Sequence, residues 1–257
     1  MPLGLSPLAI CALGACVFLA GIVDALAGGG GLITLPAYLA VGINPALVLG
    51  TNKLVSSVGT AFATVLYHRA LRFSVKEFLP ALATAGIGAW LGAKIAIYID
   101  PSWLRPFLLV VLPLTAWFVW SQREFGHEDL SHHLASEERR RRGVMVAGAV
   151  GAYDGFFGPG AGTFYALSFV RVCRYDLLGA TARAKALNLL SNVFALVAFV
   201  AAGRVHWKLG VPMAILSVAG NLVGSRLGVK RGARAIRPVV AVVCVGLCAK
   251  IFADLLR

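Results

Sequence analysis

Two lysines and two aspartates stand inside long apolar stretches, where an ionised side chain is costly unless it meets a partner, so chemistry is sought there first. Lys53 and Lys185 each lie nine residues beyond a helix-starting residue, Asn44 before Pro45 in one case and Asp176 in the other. Nine residues of helix rise about 13 Å, which sets each ammonium nearer the middle of a bilayer than its surface. Asp24 and Asp154 each stand one helical turn before a glycine-rich break, within GIVDALAGGGG at 21–31 and GAYDGFFGPGAG at 151–162. An ammonium group can hold an anionic substrate, and a carboxyl that exchanges a proton near neutral pH can couple its movement to a gradient. The same residues can equally form structural Asp–Lys pairs, or aspartates that cap nearby N–H groups, and residue type leaves these readings open.

Polar side chains gather around both lysines at helical spacing: Thr51, Asn52, Ser56 and Ser57 in one segment, Asn188, Ser191 and Asn192 in the other. They can donate to the oxygens of an oxyanion, or bond one helix to the next. Gly28, Gly29, Gly30 and Gly31, with Gly158 and Gly160, imply unwound turns, because glycine is a poor helix-interior residue. Non-helical backbone at membrane depth is tolerated where it is buried in protein or lines a cavity, so each break points to a translocation site. Free N–H groups at the start of the following helix would form a cradle for an anion. Gly88, Gly92, Gly220 and Gly224, spaced four apart in pairs, read instead as contact points for close helix crossing. Arg183 is two residues from Lys185 and so faces another way, and His68 and His206 fall at span ends.

The elements that carry these residues belong in a membrane. Of 257 residues, 59% are apolar or aromatic and 14% charged, against roughly 45–50% and 25% in soluble domains. Long apolar runs at 3–27, 47–67, 78–99, 107–120 and 239–249 read as helices in a lipid bilayer, the first as a retained span without a cleaved signal. The net charge of +13 comes mostly from bases between these runs, where they set topology, so nucleic acid is not an expected partner. Cys11, Cys16, Cys173, Cys244 and Cys248 form no CxxC pair, and neither a disulfide framework nor a metal site is expected. HExxH, GxSxG and P-loop motifs are absent and no nucleotide fingerprint stands in a βαβ context, so the chain reads as a transporter or channel without a cofactor, and not as an enzyme.

The chain also matches itself. A shift of 132 residues places Lys53 on Lys185, Phe62 on Phe194, Arg72 on Arg204, Pro80 on Pro212 and Gly88 on Gly220. A shift of 130 places Asp24 on Asp154, Gly28 on Gly158 and Gly30 on Gly160. Charges and prolines paired in one register indicate duplication: a first repeat at 1–121, a polar cytoplasmic linker at 122–142 and a second repeat at 143–257. The fold expected is an all-α polytopic membrane protein of about ten transmembrane or half-membrane helices. If the short segment 32–41 and its counterpart cross, each repeat has five elements and the second is inverted relative to the first. That arrangement puts 14 bases on one face and five on the other, against a more even division otherwise, which favours inversion with both termini extracytoplasmic.

The GxxDxxxGGGG opening at 21–31, Pro36 after it and the GTNKL box at 50–54 resemble the sulfite exporter TauE/SafE family, also called the toluene sulfonate uptake permeases. The second glycine box and AKALN at 184–188 are also similar to that family. The resemblance implies a carrier in the bacterial cytoplasmic membrane for small sulfur-containing anions such as sulfite, sulfonates or sulfoacetate, an exporter in the first instance. It carries signature roles onto Asp24, Gly28 to Gly31, Pro36, Thr51, Asn52, Lys53, Lys185 and Asn188. The second box departs from the pattern, reading FGPGAG with no proline at the place equivalent to Pro36, so the second half-site is expected to have its own shape. The competing readings are a passive anion channel and a membrane assembly or scaffold protein. Small-residue helix faces are also consistent with a homodimer.

Overall fold

The computed structural model describes residues 6–104, 106, 107, 110, 114, 126 and 128–231. The apolar run at 239–249, Cys244, Cys248 and most of the run at 107–120 lie outside them. The described residues form eight α-helices and no strand: α1 (Pro7–Ala27), α2 (Gly30–Ala40), α3 (Pro45–Leu71), α4 (Val75–Tyr98), α5 (Ser136–Phe156), α6 (Ala161–Cys173), α7 (Leu177–Ala201) and α8 (Trp207–Arg231). Local chemistry sets the boundaries. Ser6, Asn44, Ser74 and Asp176 accept backbone N–H groups at the starts of α1, α3, α4 and α7, with proline opening α1 and α3. α1 stops at Gly28, whose φ of 75° turns the chain left-handed while its N–H donates to the Asp24 carbonyl at 2.7 Å. The last third of the polar linker, from Ser136, is helical and opens α5, where Arg142 pairs with Glu138 at 2.5 Å.

Four helices, α1, α4, α7 and α8, are long and apolar enough to cross a membrane. α3 and α5 match them in length but are more polar, α3 through Lys53 and its hydroxyl and amide neighbours, α5 through its charged first turns. α2 and α6 are apolar but short, at 11 and 13 residues, or about 16 and 20 Å of helix. The outer surface is apolar and the interior holds the ions: Leu8, Leu91, Ile95, Val197 and Ile215 are exposed, whereas Lys53 and Lys185 are each 1% exposed. Such a surface suits lipid, and buried ions of this kind face protein when the surroundings are hydrocarbon.

Glycine contacts reveal how the helices run. A Cβ on Gly21 would approach the Ser217 carbonyl at 2.7 Å, and one on Gly224 the Ile22 carbonyl at 2.5 Å, so α1 and α8 lie parallel and nearly backbone to backbone. The same relation holds between α4 and α5, where Gly88 faces the Gly148 carbonyl at 2.6 Å and Gly92 faces the Phe156 N–H at 2.7 Å. With Gly220, which abuts the Phe18 carbonyl, Gly88, Gly92 and Gly224 are the four glycines read as crossing points, and their missing side chains are what permit the approach. α3 also runs with α8, since Gly210 packs on Leu54 and Gly228 on Tyr67. α3 and α7 run in opposite directions: Gly50 meets Phe199, Lys53 reaches Asn192 and the Thr64 hydroxyl donates to the Lys185 carbonyl at 3.1 Å.

Candidate functional site

The two breaks meet in the interior. Gly28 abuts the backbone of Gly162, Gly31 lies against Pro159, and the Thr163 hydroxyl donates to the Ala27 carbonyl. Gly28, Gly158 and Gly160 all have positive φ, at 75°, 96° and 76°, a region costly to residues with a Cβ. Gly30 and Gly31 are helical, so the unwound stretch in the first half is confined to Gly28 and Gly29. No side chain caps the first turn of α2 or of α6, which leaves backbone N–H groups at both starts without a side-chain acceptor.

The charged residues pair across the molecule. Lys53 of α3 reaches Asp154 of α5, with Nζ 2.7 Å from Oδ1 and 3.0 Å from the Asn192 amide oxygen. Lys185 of α7 reaches back to α1, donating to the Asp24 carbonyl and standing 3.4 Å from its Oδ2. Each lysine therefore pairs with the aspartate beside the other break. Ser191 donates to Oδ2 of Asp154, and Thr60 donates to Oδ2 of Asp24 at 3.1 Å. A Cβ on Gly158 would stand 3.1 Å from the Lys53 ammonium, so the second break and the first lysine share one space. Burying two ions is costly, and the arrangement holds because each has its counter-charge and added hydrogen bonds.

The remaining predicted residues divide. Asn52 accepts the Thr34 hydroxyl at 2.5 Å and ties α3 to α2, while Asn188 and Asn192 are buried on α7 near Ser191. Ser56 lines a small cavity beside Asp24. Thr51 lies away from the lysines: its hydroxyl donates to the Leu47 carbonyl and accepts the His206 N–H at 2.9 Å, which fixes the turn before α8. Arg183 points elsewhere, its guanidinium 3.9 Å from the Tyr175 ring centre. Ser217 and Asn221 were not singled out from the sequence, although they line the Asp24 cavity. Their signal is faint, two polar residues four apart in the otherwise apolar middle of the helix.

Among the described residues no group of three or more His, Cys, Asp or Glu could hold a metal ion. What the site can do is bind and release charge within a low-dielectric interior. Residues 13–251 match the family model described as Sulfite exporter TauE/SafE. The chain is 38% identical over 253 residues to the "Probable membrane transporter protein YfcA" of Escherichia coli (strain K12), covering 97% of this chain and 91% of the relative. It is 37% identical over 246 residues to the "Probable membrane transporter protein ORF9" of Sinorhizobium sp, covering 92% and 90%. A "Probable membrane transporter protein" of Haemophilus influenzae is 33% identical over 249 residues, covering 93% of each chain. No solved structure matches the chain significantly. With a family model spanning nearly its whole length and relatives of matching size, the chain belongs to the sulfite exporter TauE/SafE family of membrane transporters.

Proposed function

We infer that the protein is a secondary transporter, working as an exporter, that carries small sulfur-containing anions across the bacterial inner membrane by alternating access around a central basic site built from both repeats. The observation that carries this reading is the crossing of the two ion pairs where the glycine breaks meet. In the arrangement described, Asp154 and Asp24 hold the two ammonium groups as a sulfite or sulfonate group would. An entering anion would take over Lys53 or Lys185, with the N–H groups of Gly29 to Gly31 and of the first turn of α6 as further donors. Because each pair joins the two halves of the chain, exchanging a carboxylate for a substrate loosens one half from the other. That is the link alternating access requires.

The ten-element arrangement of two inverted fives draws support from α3 and α7, which occupy matching positions in the sequence and run antiparallel. The orientation draws support from charge. The C-terminal end of α3 and the N-terminal ends of α4, α5 and α7 share one end of the bundle and carry Arg69, Lys76, Arg139 to Arg142 and Arg183. This end is assigned to the cytoplasm, which leaves both termini outside. The small-residue faces would also serve a homodimer in the bilayer.

The test is sulfite and sulfoacetate flux in proteoliposomes, with and without a pH gradient, for the native chain, Lys53→Met and Lys185→Met. Flux that follows the gradient and vanishes in both variants supports the carrier. Normal flux in the variants makes the lysines structural. Flux indifferent to the gradient and to both aspartates indicates a channel, and no movement of any sulfur anion removes the substrate class.

A further inference from the structure

Although Asp24 and Asp154 occupy matching places, their surroundings differ. Both oxygens of Asp154 are engaged, Oδ1 by Lys53 and Oδ2 by the Ser191 hydroxyl, and the side chain is 2% exposed. At Asp24 both hydrogen bonds converge on Oδ2, from Thr60 and Lys185, and among the described residues none reaches Oδ1. Its side chain is 11% exposed. The residue matching Ser191 is Gly59, which brings no hydroxyl. Beside Asp24 lies a cavity of about 10 Å³, whose lining includes Asp24, Gly30, Thr34, Ser56, Ser217 and Asn221. That volume suits one water molecule, given enough polar partners.

The partners are present. Asn221 is 1% exposed, donates from Nδ2 to the Ser217 carbonyl at 3.0 Å, and has an amide oxygen with no hydrogen-bond partner. Leaving such an oxygen buried and unpaired forfeits its hydration, so the site favours a donor that can reach it. Water can donate both to this oxygen and to Oδ1 of Asp24. The second half-site cannot do the same. Ala85 and Ala89 stand where Ser217 and Asn221 stand, and Phe164 where Thr34 stands.

We propose that a single water held by Asn221, Ser217 and Ser56 makes Asp24 the proton-exchanging carboxyl of this transporter, while Asp154 serves as counter-ion to Lys53. The inference rests on the carrier reading and names which carboxyl couples it. In the exchange, a proton arriving on the water passes to Oδ1 of Asp24 and leaves neutral water behind. Asp24 then has no net charge, and the Lys185 ammonium is freed for an anion. The charged and titratable groups facing Asp24 are Lys185 from α7, Lys53 and Tyr67 from α3, and Asp154 from α5. α2 and α8 present Thr34, Ser217 and Asn221 to its cavity, none of them titratable. Tyr165 of α6 faces Asp154 instead.

The experiment is infrared difference spectroscopy of the purified full-length protein in lipid nanodiscs, following the carboxylic acid C=O band during pH titration and during exchange into heavy water. It needs no substrate. The band is expected to titrate in the native chain and in Asp154→Asn, and to be absent from Asp24→Asn. Asn221→Leu, which leaves both ion pairs intact and fills the cavity, is expected to slow deuteration of the band about tenfold or more. A band that disappears with Asp154→Asn and survives Asp24→Asn overturns the proposal, as does native deuteration in Asn221→Leu. Titration at Asp24 in a protein that moves no sulfur anion would sink the substrate reading alone. Gradient-driven flux with the band assigned to Asp154 would sink this inference alone.

Discussion

The Lys53–Asp154 pair and the Lys185–Asp24 pair stand at matching places in the sequence, yet one is closed and the other open. In the first, ammonium and carboxylate meet at 2.7 Å, with Asn192 and Ser191 completing their hydrogen bonds. In the second, the carboxylate is 3.4 Å from the ammonium, which also binds the Asp24 main-chain carbonyl, and a water-sized cavity lies beside the carboxylate. On the proposed reading, two copies of one device divide the work of a coupled carrier: the closed pair holds the halves together, and the open pair answers to pH and substrate.

The largest expected effect separates the pairs by stability. Lys53→Met leaves Asp154 charged and sealed, at a cost of about 3–5 kcal/mol. Lys185→Met leaves Asp24 with Thr60 and the cavity, and costs about 1–3 kcal/mol. Thermal unfolding in detergent measures both, and adding Asp154→Asn to Lys53→Met is expected to recover part of the loss. Equal destabilisation by the two single variants would erase the distinction.

The breaks supply a second comparison. Gly28→Ala places a methyl against the Gly162 backbone at φ 75°, and neither chain can yield. Left-handed strain of about 1–2 kcal/mol adds there to overpacking of about 1–3 kcal/mol. Gly158→Ala carries the strain at φ 96°, but its methyl stands 3.1 Å from the Asp154 carbonyl, its Oδ1 and the Lys53 ammonium, looser contacts than those at Gly28. Unfolding is therefore expected to register Gly28→Ala more strongly, and sulfite flux relative to folded protein to register Gly158→Ala more strongly. The reverse ranking would mean that the second break does not share space with Lys53.

A smaller effect probes the serine that distinguishes the half-sites. Ser191→Ala removes a hydrogen bond to a buried carboxylate, about 1.5–3 kcal/mol of stability. Gly59→Ser does not supply the mirror-image gain, because a Cβ there stands 2.5 Å from the Asn221 amide nitrogen and 3.2 Å from the Ser217 Cβ. Combined with Ser217→Ala and Asn221→Ala it acquires the space, and the triple variant is expected to keep its fold while losing the pH dependence of flux. Retention of native pH dependence in that variant would detach coupling from the cavity.

Much of this centre was legible from residue type. An ammonium or carboxylate inside an apolar run demands a partner, and glycine runs break helices, so Asp24, Lys53, Asp154, Lys185 and both boxes stand out unaided. The membrane setting followed from composition, and the four close-crossing glycines from their spacing. Which lysine meets which aspartate depends on α3 packing against α7 and on α1 packing against α8, long-range relations that local pattern does not contain. Asn221 and Ser217 escaped for the same reason, since a polar pair on an apolar helix gains meaning only when Gly59 opposite leaves room. The separate place of Thr51 is hidden because it shares a motif with Lys53, while two residues of helix turn its hydroxyl toward the loop before α8.

The smallest effect asks where the difference between the halves ends. Asn44 and Asp176 cap matching helices, each by accepting a backbone N–H, at 3.0 Å from Ala46 and 3.1 Å from Gly179. Asn44→Ala and Asp176→Ala are each expected to cost about 1 kcal/mol, with equal shifts in unfolding temperature and unchanged pH dependence of flux. Each lysine stands nine residues beyond its cap, so fraying at the helix start is spent before it reaches the ion pair. Unequal losses, or a changed pH profile in either variant, would carry the asymmetry out to the helix ends and make the cavity one part of a wider difference.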